Sequence, residues 1–117
     1  MISGIKKYLL SLPGVTESFP FGPQPYVYKV EGRIFALLSE DENVPAISLK
    51  CDPEEAEILR GMDPSIRPGY HLNKEHWNTI VIDGNIPGLI LLQLIDDSYG
   101  LVIGSLPVKK RPGAGNV

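Results

Sequence analysis

The chain has 117 residues, 43 % of them hydrophobic and 21 % charged, which bounds it to one soluble domain able to build a core without covalent staples. Its single cysteine, Cys51, excludes an internal disulfide and fits a reducing cytoplasm; residues Met1 to Lys7 have no signal-peptide layout, and the longest apolar run, Leu89 to Ile95, is broken by Gln93 and too short to span a bilayer. A net charge of -3 weakens the case for strong non-specific polyanion binding and does not exclude a local basic patch on an acidic body.

Ser3 is placed to cap a first helix that runs to about Leu12, with Ile5, Leu9 and Leu12 on one stripe and Pro13-Gly14 as its stop. Val15 to Pro25 reads as a loop, because Pro20, Pro23 and Pro25 oppose regular structure; Phe19 and Phe21 pin it to the core or offer an aromatic surface. Tyr26–Val30 and Arg33–Leu38 form two strands around Glu31-Gly32. A two-residue turn pairs Val30 with Arg33 and Tyr28 with Phe35. One face then carries Tyr26, Tyr28, Phe35 and Leu37, and the other Val27, Lys29, Ile34, Ala36 and Leu38; both are apolar enough to be covered, and a one-residue slip changes the pairing.

Ala46–Cys51 is a third strand with Ile47 and Leu49 inward and Ser48 and Lys50 outward, after an acidic turn containing Glu40, Asp41 and Glu42. Asp52-Pro53-Glu54-Glu55 is a helix start in the form of a capping box, and the helix ends near Arg60 with Gly61 as its stop. Capping accounts for that acidic cluster.

Arg67 to Ile82 holds both histidines, the only tryptophan and a tyrosine. Pro68-Gly69 reads as a turn, Tyr70 to Asn73 as a short strand, Asn73 to Glu75 as a tip, and Trp77 to Ile82 as a β-branched strand. Pro87 opens a last helix with Leu89, Leu92, Ile95, Tyr99, Val102 and Ile103 on the buried stripe and Asp96 and Asp97 facing water. The domain is expected to span residues 1–106. Residues 107–117, including Lys109-Lys110-Arg111, read as a basic, flexible tail.

His71 and His76, five apart, match no accepted zinc spacing, so no metal is expected. Cys51 lacks a nucleophile elbow or an orienting third group, and the scattered glycines form no phosphate cradle. No cofactor and no catalytic residue is expected. Candidate polyanion contacts are Lys29, Arg33, Lys50, Arg67, His71, Lys74, His76, Trp77 and the basic tail, cations near an aromatic on hairpins.

The chain resembles the MmcQ/YjbR family. The resemblance runs from Leu12-Pro13-Gly14-Val15-Thr16-Glu17-Ser18-Phe19-Pro20-Phe21-Gly22 through Val30-Glu31-Gly32-Arg33, Ser48-Leu49-Lys50-Cys51-Asp52-Pro53 and Pro68-Gly69-Tyr70-His71-Leu72-Asn73-Lys74-Glu75-His76-Trp77 to Asp96-Asp97-Ser98-Tyr99. It implies an α+β, CyaY-like fold: an antiparallel β-sheet packed by two to three helices. It also implies a DNA-binding protein with two hairpin wings, Tyr26–Leu38 and Tyr70–Ile82, and carries over no catalytic residue; with the single cysteine, the leading expectation is a non-enzymatic, cytoplasmic DNA-binding protein. On that reading Lys29, Arg33, Arg67 and Lys74 bind phosphates, and His71, His76 and Trp77 shape contact near the groove. The alternative is a small-molecule or protein-binding module with a pocket near Phe19, Phe21 and Trp77. A metal-handling role by analogy with frataxin ranks third.

Overall fold

A computed structural model describes residues 2–40, 43–69 and 72–112. The elements in chain order are α1 (Ile2–Ser11), β1 (Val15–Ser18), β2 (Tyr26–Val30), β3 (Arg33–Ser39), β4 (Ala46–Lys50), α2 (Pro53–Met62), β5 (Ile66–Pro68), β6 (Trp77–Val81) and α3 (Gly88–Ser105), then a 3-10 turn at Val108–Lys110. The strands form one antiparallel sheet in the order β1-β2-β3-β4-β6-β5, as the α+β expectation requires.

The three helices lie against one face of the sheet. From the strands, Tyr28, Val30, Ala36, Leu38, Ile47, Leu49, Ile66 and Ile80 point into the core, where Ile5, Leu9, Leu91, Ile95 and Val102 of α1 and α3 meet them. α2 joins on the same side through buried Asn78, whose amide donates to the Ala56 carbonyl (3.4 Å) while its oxygen accepts from Arg60 (3.2 Å). α3 is long and apolar enough, by length and composition, to cross a membrane. Here it packs across β2, β3 and β4.

Glu31-Gly32 is the two-residue turn, both residues at positive φ (49° and 75°), the left-handed conformation a primed hairpin turn demands. Val30 opposes Arg33 as expected, but Tyr28 opposes Ala36 and not Phe35. Phe35 sits in a β-bulge, so the expected grouping of Phe35 and Leu37 with Tyr26 and Tyr28 gives way to Ala36 and Leu38. The bulge is secured from α3. Buried Ser98 donates its hydroxyl to the Phe35 carbonyl (2.6 Å) and accepts the Lys50 N–H (2.8 Å), serving two backbone groups beside the irregularity.

Several local expectations are corrected. Val15–Ser18 is a strand, because these four residues precede the prolines and pair with β2 along its free side. The strand on the far side of β6 is Ile66–Pro68, ahead of the expected Tyr70–Asn73 strand, whose Leu72 and Asn73 are in no strand and whose Tyr70 and His71 lie outside the described residues; Pro68 is tolerated because β5 is an edge strand. α2 continues through Gly61 to Met62, and Asp52 makes no side-chain cap bond; its carbonyl accepts the Ala56 N–H instead (2.8 Å). α3 starts at Gly88 with Pro87 as its cap, and its buried stripe is Leu91, Ile95, Ser98 and Val102, leaving Leu89 82 % exposed. Asp96 is half-buried and accepts the Tyr8 hydroxyl (2.5 Å), tying α1 to α3. Beyond α3, Arg111 folds back to donate to the carbonyls of Leu106 (3.1 Å) and Gly104 (3.3 Å).

Candidate functional site

The second face of the sheet carries no helix. Direct strand partners share a face, so the register defines its residues. Ser18, Val27, Leu37, Ser48, Thr79 and Arg67 form one row across the sheet. Ser39, Ala46 and Val81 form the row toward one end, and Lys29 and the Lys50–Trp77 pair lie toward the other. Every charged strand residue on this face is a cation: Lys29, Lys50 and Arg67. The one strand carboxylate, Glu17, opposes Tyr28 on the helix side and accepts its hydroxyl (2.7 Å). Burial, and then that hydrogen bond, push the Tyr28 phenol well above its usual range.

Two connections wall this face into a groove of about 890 Å³. One wall is the β1–β2 loop, with Phe21, Gln24 and Pro25; Gln24 holds it in place by accepting the Glu40 N–H (2.9 Å). The other is Pro68 at the end of β5 and Leu72 beyond it, and Asn43 and Val44 close one end. The floor is Leu37, Ser39, Ala46, Ser48, Thr79 and Val81, with the Ser48 and Thr79 hydroxyls bonded to each other at 2.8 Å. Arg67 is the one charged residue among those described around it.

Gly69 sets the second wall. Its N–H donates to the Trp77 carbonyl (2.9 Å), and a Cβ there would stand 2.7 Å from the Trp77 Cβ. The backbone can approach Trp77 this closely only without a side chain.

The expected site residues divide. Lys29 and Arg67 lie on the open face, and half-buried Trp77 lies there beside Lys50. Lys74 and His76 are exposed in the β5–β6 connection. Its end of the sheet is also that of the Glu31-Gly32 turn, since β3 and β6 both start there and run the same way past β4. Of the expected second wing, Tyr70–Ile82, β6 (Trp77–Val81) is a strand, and its partner strand is β5, Ile66–Pro68, which lies before the expected start. His71 and Tyr70 lie outside the described residues, as do Asp41, Glu42 and the tail beyond Pro112. Arg33 is on the opposite face, where its guanidinium donates to the Ser105 hydroxyl (2.9 Å) and carbonyl (3.3 Å). The expected pocket also splits: Phe21 lines the groove, whereas Phe19 packs edge-on to Tyr26 (5.0 Å between centroids) and Trp77 is not part of the lining. Sequence reading missed the floor positions Leu37, Ser48 and Thr79. The alternation in Ala46–Lys50 pointed Ser48 and Lys50 outward without saying that outward meant the open face.

On the helix side a smaller cleft of about 360 Å³ between α2 and α3 is rimmed by Asp52, Glu55, Asp96 and Asp97 over an apolar floor. Cys51 lines it. Burial, then Glu55, Asp52 and Asp97, push its thiol up to about 11, the opposite of what a nucleophile needs. Among the described residues no three His, Cys, Asp or Glu side chains gather so as to hold a metal ion.

This architecture matches known proteins over nearly its whole length. The family model YjbR matches residues 10–101. The chain belongs to the YjbR family. It is 41 % identical over 110 residues to uncharacterized protein YjbR of Escherichia coli K12, covering 94 % of this chain and 93 % of that one. It is 42 % identical over 112 residues to uncharacterized protein YbdF of Escherichia coli O157:H7, covering 92 % of each. The crystal structure of Deinococcus radiodurans protein DR2400, of family-model domain DUF419, superposes with a TM-score of 0.91 at 37 % identity, over 98 % of this chain and 88 % of that one. A crystal structure from Pseudomonas syringae superposes with a TM-score of 0.74 at 29 % identity, over 85 % and 96 %. The sheet and helices of this YjbR-family chain are therefore those of its structural relatives.

Proposed function

We propose that this YjbR-family chain is a non-enzymatic, cytoplasmic nucleic-acid-binding protein, with DNA as its partner and the open face of the sheet as its contact surface. The observation that carries this reading is charge segregation. On a chain of net charge -3, the open face gathers Lys29, Lys50 and Arg67 and no strand carboxylate. Cation–phosphate contact supplies most of the affinity in such complexes and makes it salt-dependent. Lys74 extends the positive surface to the hairpin end, and Trp77 adds an aromatic beside Lys50.

The test is fluorescence anisotropy of labelled oligonucleotides across a salt titration, with the variants Lys50→Glu and Arg67→Glu. Each reversal should weaken binding and flatten the salt slope by about one unit per lost phosphate contact. Unchanged affinity and slope in both variants would remove the open face as the contact surface.

A second reading is favoured by the groove itself. A walled volume of about 890 Å³ lies within the range of small-molecule sites. A binding module for a small ligand or a protein segment would use Phe21 and Leu72 as walls and Arg67 as its charged anchor.

A further inference from the structure

Resting on the nucleic-acid reading above, we infer that the preferred partner is a single strand, whose unpaired bases enter the groove between Phe21 and Leu72 while its phosphates meet the open-face cations. A phosphate-binding surface needs only exposed cations. This one has a groove of about 890 Å³ beside them, walled by Phe21, Pro25, Pro68 and Leu72, with no carboxylate among the described lining residues. Paired bases are stacked and show only their edges, and a duplex would leave such apolar walls unfilled. Unpaired bases present whole π-faces and are commonly held by aromatic side chains beside a cationic track.

Phe21 is 66 % exposed, an aromatic ring left in water at the rim of the groove. Phe19, two residues before it in the same loop, is instead engaged edge-on with Tyr26. Phe19 is itself 47 % exposed but lies outside the lining, so of these two rings Phe21 is the one that faces the groove. The lining is mixed in a way that suits a base: Leu37 and Val81 of the floor give apolar contact, and Ser48, whose hydroxyl also bonds Thr79, and Asn43 at one end offer hydrogen-bonding groups to its edge. Three strand spacings of about 4.8 Å separate Leu37 on β3 from Arg67 on β5, so the row reaches from an apolar site to a cation over about 14 Å. That is the span of a few nucleotides.

The experiment measures the intact protein at low salt against four labelled probes: a ten-nucleotide oligo-dT, an oligo-U of the same length, an abasic DNA strand of the same length and charge, and a ten-base-pair duplex. The inference expects oligo-dT or oligo-U to bind about tenfold more tightly than both the abasic strand and the duplex. Whichever of the two binds more tightly is the preferred strand, sugar and base methyl taken together. It also expects Phe21→Ala to lose about tenfold toward that strand and nothing toward the abasic one. An abasic strand that binds as well as oligo-dT and oligo-U, or a duplex that binds better, overturns the inference and leaves the polyanion reading standing. Absence of binding to all four probes overturns both. The abasic comparison needs no variant, so it decides the matter even if Phe21→Ala folds poorly.

Discussion

Arg33 and Ser105, seventy-two residues apart, meet where β3 begins and α3 ends, the guanidinium bonding both the hydroxyl (2.9 Å) and the carbonyl (3.3 Å). A cation at a helix C-terminus neutralises carbonyls that have no partner within the helix. Arg33→Ala should therefore cost about 0.5–1 kcal/mol in urea unfolding, the low end reflecting its exposure. It should leave oligonucleotide affinity unchanged. A loss of affinity comparable to that of Lys50→Glu would return Arg33 to the contact surface.

Ser98 carries a larger stake. Its single hydroxyl serves the Phe35 carbonyl and the Lys50 N–H in a buried position. Ser98→Ala strands both, and an unsatisfied buried polar group costs about 1–3 kcal/mol. Chemical denaturation should reveal a loss of that size. A variant as stable as the parent would mean that the bulge finds other partners.

Gly69→Ala places a Cβ 2.7 Å from the Trp77 Cβ and 3.2 Å from the Leu72 Cβ. One wall of the groove has to move. Overpacking of this kind costs about 1–3 kcal/mol. Trp77 fluorescence should shift in the native state, and an unaltered emission spectrum together with parental stability would contradict the tight approach.

The Cys51 thiol, held up at about 11 by burial and neighbouring carboxylates, keeps its proton when the unfolded chain has lost it. A raised folded-state value contributes stability that is complete below the unfolded thiol's range and is lost as pH rises through about 11. Alkylation by iodoacetamide at pH 8 should accordingly be slow in the native protein and fast in urea. Equal rates in the two states would show that the thiol is not suppressed.

Local chemistry made the Glu31-Gly32 turn, the Asp52-Pro53 helix start and the inward Ile47 and Leu49 legible, because each depends on a few adjacent residues. The Phe35 bulge was not legible. Residues 34–38 are apolar throughout, so alternation cannot rank one register over another, and the hydroxyl that secures the bulge comes from Ser98, sixty-three residues away. α3 failed for a related reason: Leu89 to Leu92 are apolar on all sides, and periodicity could not choose Leu91 over Leu89. At the site, the residue types were legible and their sidedness was not. Lys29 and Arg33 read alike as wing cations, and the turn sets them on opposite faces, but nothing in the strands said which of those faces the helices cover.

The placement of β6 between β4 and β5 has a consequence for how the chain is made. Four of the five strand pairings join strands that are neighbours in sequence, but the free side of β4 is filled only when Trp77–Val81 arrives to pair with Ala46–Lys50. During synthesis five strands and α2 precede any partner for that edge. A chain released before Trp77 carries an open ladder flanked by Ile47 and Leu49, the kind of edge that recruits other chains. The last third of the sequence thus acts as a seal, and truncated products, more than full-length protein, are where aggregation should begin.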